Sequence, residues 1–428
     1  MAPCCRASPM APAAGATLAW LSVVAAFDQF AAALASAGAA GWTPGTPMPA
    51  KRMGHEGGVN STHVFVVAGF NGTAILSSAL AYDVKAERWS PMPDLPKPVS
   101  DLGAAVLRGK LYTLGGMVYP DDCQHPGCMN YNVSTVFALD LAGGAAWSEA
   151  PPMPTARRGM SVAADEARGI LYSIGGMNCK SNCAGTDIAY FDTVEAFSVA
   201  SNTWEVLPPM PTPRRDFGSA VDAEGRLWTV GGCGGVDATD GACPTLSVVE
   251  IYNPKTRKWQ APAHLQLPEP RHGMLVATDG DALFLIGGSA DAGVFNAPKP
   301  STAVWRLGLT GDLSHASWRR MPSLGHPRYG LNKGYGFVVD GKVFAVGGSV
   351  GSLGGFLGYV PSPSMEVLDL RASQEAFALA GSPPPAAFHG GGLWVLAAGI
   401  ASVAVGAVVG PRAWRFARRV HPAPPLLG

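Results

Sequence analysis

A pair of glycines closing a short apolar run recurs along most of this 428-residue chain, and it limits the fold more than any other feature. The pairs are Gly115-Gly116, Gly175-Gly176, Gly231-Gly232, Gly287-Gly288 and Gly347-Gly348, with a degenerate copy at Ala68-Gly69. A tryptophan recurs in phase at Trp42, Trp89, Trp147, Trp204, Trp259 and Trp318, with spacings of 47, 58, 57, 55 and 59. A β-rich run such as Lys110–Leu114 or Leu227–Val230 leads into each double glycine. A second run, as in Ala79–Asp83 or 248–252, precedes most tryptophans, and Met-Pro turns follow at Met92-Pro93, Met153-Pro154 and Met210-Pro211. Short β runs at a period of about 45–60 residues mean stacked four-stranded units, none able to bury its faces alone. Gly 54 and Pro 37 supply the turns such a chain needs, and a hydrophobic content of 47% supplies its core.

The pattern resembles the kelch repeat over residues 42–370. The elements that carry the resemblance are the double glycine, the Tyr82-Asp83 and Tyr252-Asn253 pairs, the phased tryptophan and a Pro-x-Arg opening of the next strand. The resemblance implies an all-β propeller whose inner strands line a central channel. The last unit, ending near Leu370, has no tryptophan after it, and Trp42 has no unit before it. Pairing the N-terminal strand with the C-terminal ones resolves both and closes a six-bladed ring, which leaves only short, protected edges. With antiparallel neighbours, the loops after the double glycines share one face with the links between blades. Those loops are long, as at 117–132 and 349–363. The turns on the opposite face are tight, as at Arg108-Gly109-Lys110, Glu224-Gly225-Arg226 and Asp340-Gly341-Lys342. Both termini leave from the tight-turn face.

The ends differ from the middle. Residues 1–40 hold an apolar stretch followed by Ala35-Ser36-Ala37, the pattern of a secretory signal peptide or, uncleaved, a signal anchor. The propeller is expected over 41–372 and a Pro/Gly/Ala-rich stalk over 373–389. Residues 390–410 carry no charge and suffice for a transmembrane helix. A basic cytoplasmic tail, 411–428, follows with Arg412, Arg415, Arg418 and Arg419. The expected topology is a single-pass membrane protein with its propeller luminal or extracellular.

Cysteine usage fits that compartment. Cys123/Cys128, Cys179/Cys183 and Cys233/Cys243 fall in three local pairs within loop segments, which read as disulfide staples. A metal site needs four ligands, and Cys123, His125 and Cys128 offer three at poor spacing. Asn60, Asn71 and Asn132 open glycosylation sequons. Formal charge is zero, with 31 Lys+Arg against 31 Asp+Glu, which argues against a nucleic-acid partner.

Arg52, Arg157, Arg214, Arg271 and Arg328 open successive inner strands, and only Val99 breaks the series. Two roles are open to them: bonding to blade carbonyls, which is the weightier one, or contact with an anionic ligand at the channel mouth. His55, His272 and His326 lie nearby, as do Glu56, Asp101 and Asp216. The leading functional reading is a membrane-anchored ectodomain that binds a protein or glycan through its long-loop face, without catalysis, cofactor or metal. The alternative is a secretory-pathway carbohydrate-active enzyme, an oxidase or a sialic-acid-type epimerase. An oxidase needs a cysteine-linked tyrosine, and each cysteine beyond Cys5 already has a local partner. A ubiquitin-ligase adaptor would need a recruiting domain that this sequence does not contain. A non-reducing peptide map is expected to show the three local cysteine pairs and no cross-pairs. Free thiols at all six positions would return the chain to a reducing compartment.

Overall fold

At the end of each second strand the backbone turns through left-handed conformations, and the glycines there meet two separate constraints. Gly231 and Gly287 have φ of +62° and +68°, where an L side chain is strained. A Cβ on either would also stand 2.5 or 2.4 Å from the carbonyl oxygen of Arg271 or Arg328 in the next blade. The structure, a computed structural model, describes residues 41–373 except 121–130, 180–187, 235–242, 291–298, 331–333 and 353–358.

The strands form six antiparallel blades, each running outward from the axis in chain order. Blade 1 is Glu56–Val59, His63–Val67, Ala79–Asp83 and Arg88–Met92. Blade 2 begins at Gly103–Leu107, blade 3 at Ser161–Asp165, blade 4 at Gly218–Val221 and blade 5 at Leu275–Thr278. Blade 6 takes Gly334–Val339, Lys342–Val346 and Met365–Asp369 from the C-terminal end, and its outermost strand, Thr43–Gly45, from the N-terminal end. Thr43 lies opposite Val367 and Gly45 opposite Met365. The all-β six-bladed ring is therefore closed by the N-terminal strand, as the count of tryptophans requires.

Three concentric sets of hydrogen bonds join the blades. In the outer set, each phased indole donates to a carbonyl of the preceding blade. Trp42 bonds Pro322, Trp89 bonds Thr46, Trp147 bonds Pro93, Trp204 bonds Pro151, Trp259 bonds Pro208 and Trp318 bonds Leu265, all at 2.8–2.9 Å. In the middle set, the second glycine's N–H donates to the residue that opens the next inner strand. Gly69 bonds Val99, and Gly116, Gly176, Gly232, Gly288 and Gly348 bond Arg157, Arg214, Arg271, Arg328 and Arg52, at 2.8–3.2 Å. The innermost set is a run of five bonds from Gly54 through Asp101, Gly159, Asp216 and Gly273 to Gly330, each N–H after Gly54 donating to the carbonyl before it.

Apolar side chains fill the spaces between these bonds. The residue four places before each strand opener is Met48, Leu95, Met153, Met210, Leu267 or Leu324, and every one is buried. Met153 and Met160 cover Gly115, and Met210 and Phe217 cover Gly175. Along the axis the inner strands leave a cavity of about 160 Å³, lined by small apolar residues such as Gly57, Ala105, Val162 and Ala220. Among the described residues no helix is long and apolar enough to cross a membrane. The expected signal segment, span and basic tail lie outside the described residues, as does the stalk beyond Ser373.

Gly287→Ala is expected to lower unfolding free energy by at least about 2 kcal/mol, because strain and the clash with Arg328 add. Gly308→Ala, which opens onto free space, should change denaturant unfolding little.

Candidate functional site

Each strand opener has two jobs to satisfy, since its carbonyl serves the previous blade while its side chain needs a partner of its own. The five arginines turn back into their own blades and are at most 3% exposed. Arg157 donates to the carbonyls of Gly175 and Thr193, at 2.9 and 3.1 Å, and pairs with Glu195 at 2.7 Å. Arg328 bonds Gly347 and Ser364 carbonyls and pairs with Glu366 at 3.0 Å. Arg214 pairs with Glu250 at 2.8 Å and donates to the Thr229 hydroxyl. Arg271 bonds the Gly287 carbonyl and the half-exposed Glu269. Arg52 bonds the carbonyls of Ala68 and Ser78 and the Ser78 hydroxyl.

Burial lowers the pKa of all five, and the paired glutamates oppose it at Arg157, Arg214 and Arg328. Among the described residues no carboxylate pairs with Arg52, which is pushed down to about 10, with Asp94 opposing. The hydrogen bonds and ion pairs described for all five lie within their own blades. These contacts are those of blade bonding, the weightier of the two roles open to the arginines. Blade 2 explains its own exception. Where blades 3, 4 and 6 pair the opening arginine with a third-strand glutamate, it has Val99 and Phe137, which pack in one apolar cluster. Both halves of the ion pair are replaced together, so no buried charge is orphaned.

The channel mouth is built one and two residues further along. Ser100, Arg158, Arg215, His272 and Tyr329 each bridge to the first residue of a long loop, at Met117, Met177, Cys233, Ser289 and Ser349. Asp101 and Asp216 occupy innermost-ring positions at φ +56°, a conformation that the glycines at Gly54, Gly159 and Gly273 adopt without strain. Their carboxylates account for this. Asp216 pairs with Arg215 at 2.7 Å, and the fields of Asp101 and Asp216 both act on Arg158. Burial lowers the Arg158 pKa despite them. At Arg215, Asp216 together with Tyr190 and Tyr329 outweighs burial and raises it. His272 packs edge-on against Tyr329, 5.4 Å between centroids, and its Nδ1 lies 3.2 Å from the Thr245 hydroxyl. The mouth thus alternates acidic and basic groups among aromatic rings. No composition signal marks these positions; only aligning the blades on their arginines would have found them.

Cys233 and Cys243 form a disulfide beside this mouth. Cys123, Cys128 and Cys183 lie outside the described residues, and of Cys179 only its strand position is described. Asn60 and Asn71 sit in exposed turns, their side-chain oxygens accepting from Thr62 and Thr73. The Asn132 amide nitrogen instead donates to the Met177 carbonyl and to Asn178 Oδ1 of blade 3. His55 is a core residue and His326 an exposed one, so neither joins His272 at the mouth. Among the described residues no cluster of His, Cys, Asp and Glu is placed to hold a metal ion.

Comparison with known proteins places this geometry. The KLHDC2/KLHL20/DRC7 Kelch-repeats domain matches residues 104–348, and the Kelch motif matches 51–96. The chain belongs to the kelch-repeat β-propeller family. Human Kelch domain-containing protein 8B is 32% identical over 157 residues, 36% of this chain and 40% of that protein. Kelch-like protein terF of Aspergillus terreus is 34% identical over 134 residues, 31% of this chain and 26% of that protein. Beta-scruin of Limulus polyphemus is 26% identical over 232 residues, 54% of this chain and 23% of that protein. The matches thus span less than half the length of each of these relatives.

Within this kelch scaffold, Arg157→Val should cost about 3–5 kcal/mol, since it strands the buried Glu195. Adding Glu195→Phe, to copy the Val99/Phe137 pair of blade 2, should restore most of that loss in a thermal melt. A double variant no more stable than the single one would contradict the pairing scheme.

Proposed function

We propose that this kelch propeller is a non-catalytic interaction module whose long-loop face takes a protein ligand. The observation that carries the reading is that the short hairpins after the double glycines rise together around the charged mouth. Met117–Val118 pairs with Tyr131–Asn132, Met177–Cys179 with Ile188–Tyr190, and Ser349–Ser352 with Tyr359–Pro361. Loops held this way on a rigid scaffold suit recognition. Tyr131, at the root of one of them, is 48% exposed, and an aromatic ring is a common anchor in protein interfaces.

The reading extends to a membrane anchor. The uncharged 390–410 segment followed by four arginines supports a span, and the Cys233–Cys243 disulfide supports an oxidising compartment. The described ends of the propeller, at Thr43 and Asp369, lie toward the tight-turn face, so an anchor beyond them would leave the loop-bearing face open. Protease added to sealed vesicles should then trim only the tail and spare the propeller; digestion of the propeller would overturn the topology.

For the interaction face, peptides selected from a phage library on the full-length chain should lose at least tenfold in affinity on Tyr131→Asp. They should be unaffected by Lys110→Glu or Lys342→Glu in the opposite turns. Dependence on the two lysines instead would refute the face assignment.

A further inference from the structure

One side chain distinguishes the closing junction of the ring from its neighbours. Three places beyond the strand opener, each described blade carries a residue that covers the double glycine of the blade before. In blades 2 to 5 these are Leu102, Met160, Phe217 and Met274, all apolar and buried. Met160 Cε, Phe217 Cε1 and Met274 Cε lie 2.7–2.8 Å from where a Cβ on Gly115, Gly175 or Gly231 would stand. In blade 1 the same place, over Gly347 of blade 6, is filled by His55, whose Cε1 is 2.6 Å from the equivalent point.

His55 is fully buried, and neither ring nitrogen makes a hydrogen bond among the described residues. Met48 packs at the same spot, and the Val346 backbone alongside favours the charged ring. The charged groups around it are Arg52 on its own segment and Arg328 at the opening of blade 6. Glu56 is its chain neighbour. The nearest carboxylate across the seam, Glu366, is held by Arg328 at 3.0 Å, with His326 Nδ1 3.8 Å away. A neutral imidazole fits this slot as an apolar disc. An imidazolium would be a desolvated cation beside two guanidinium groups. This is also the one junction where the blade is completed by pairing across the ends of the chain, over Thr43–Gly45 alone.

We propose that His55 makes the closure between blade 6 and blade 1 an acid-sensitive joint, so that its protonation opens the pairing of Thr43–Gly45 with Met365–Asp369. Burial, then Arg52 and Arg328, pushes the His55 pKa down to about 3. An imidazole in the opened chain titrates near 6.5. The opened state therefore takes up the proton first, so closure is at full strength above about pH 6.5 and weakens as pH falls below it. Below about pH 6.5 the opening constant climbs toward a tenfold rise per unit, which comes to about thirtyfold between pH 7.5 and 5.0.

The test is backbone hydrogen exchange on the full-length chain at pH 7.5 and 5.0, corrected for intrinsic rates. Amides of 365–369 should open about thirtyfold more often at pH 5.0, while those of 170–174 in blade 3 change much less. His55→Met, copying Met160 and Met274, should abolish the difference, as should His55→Phe, which copies Phe217. Equal acid acceleration in the variants would overturn the proposal, as would uniform acceleration across all blades of the wild type. Proton NMR of the wild-type imidazole offers an independent check: no titration step near pH 6.5 is expected for folded His55, and a step there would refute the mechanism.

Discussion

The structure depends on one short contact repeated around the ring: the N–H of the second glycine against the carbonyl of the residue that opens the next blade. It runs from Gly69 to Val99 and so round to Gly348 and Arg52. For that contact to form, the backbones of adjacent blades must approach until no Cβ fits between them. The double glycine is thus imposed by the neighbouring blade as much as by its own turn. Each bond is worth only about 1 kcal/mol net, but leaving these buried groups unpaired would cost more.

The remaining periodic residues follow from that approach. With its carbonyl committed across the junction, the strand opener turns its side chain into its own blade, where at Arg157 and Arg328 the first-glycine carbonyl and a third-strand glutamate meet it. Arginine suits the place because its planar fork reaches two carbonyls and a carboxylate at once. The tryptophan repeats the logic at the rim, with a donor for the preceding blade and a face for its own, as in the Tyr82–Trp89 and Tyr252–Trp259 pairs. The conserved-looking features of the repeat are therefore committed to holding blades together. Between them lie Arg158, Arg215, His272 and Tyr329, which differ from blade to blade and bridge to the roots of the loops.

This division explains what was legible in the sequence. Blade number, strand order and closure by the N-terminal strand follow from the phase of glycines and tryptophans, because each of those residues makes the same contact in every blade. The mouth is not periodic in residue type: the position after the opener reads Met53, Ser100, Arg158, Arg215, His272 and Tyr329. An arginine followed by a second arginine draws the eye to the first, and partners separate the two: blade glutamates for Arg157 and Arg214, inner-ring aspartates for Arg158 and Arg215. His55 is equally hidden, since its meaning comes from the methionines and phenylalanine at the same place in other blades.

The central claim is that the six junctions form a single closed, cooperative ring, and exchange of the indole N–H protons tests it most directly. At neutral pH the Nε1 protons of Trp42, Trp89, Trp147, Trp204, Trp259 and Trp318 are expected to exchange at one common slow rate set by global unfolding. Rapid exchange of Trp42 while the other five stay protected would show that the N-terminal strand does not close the ring, and would contradict the account.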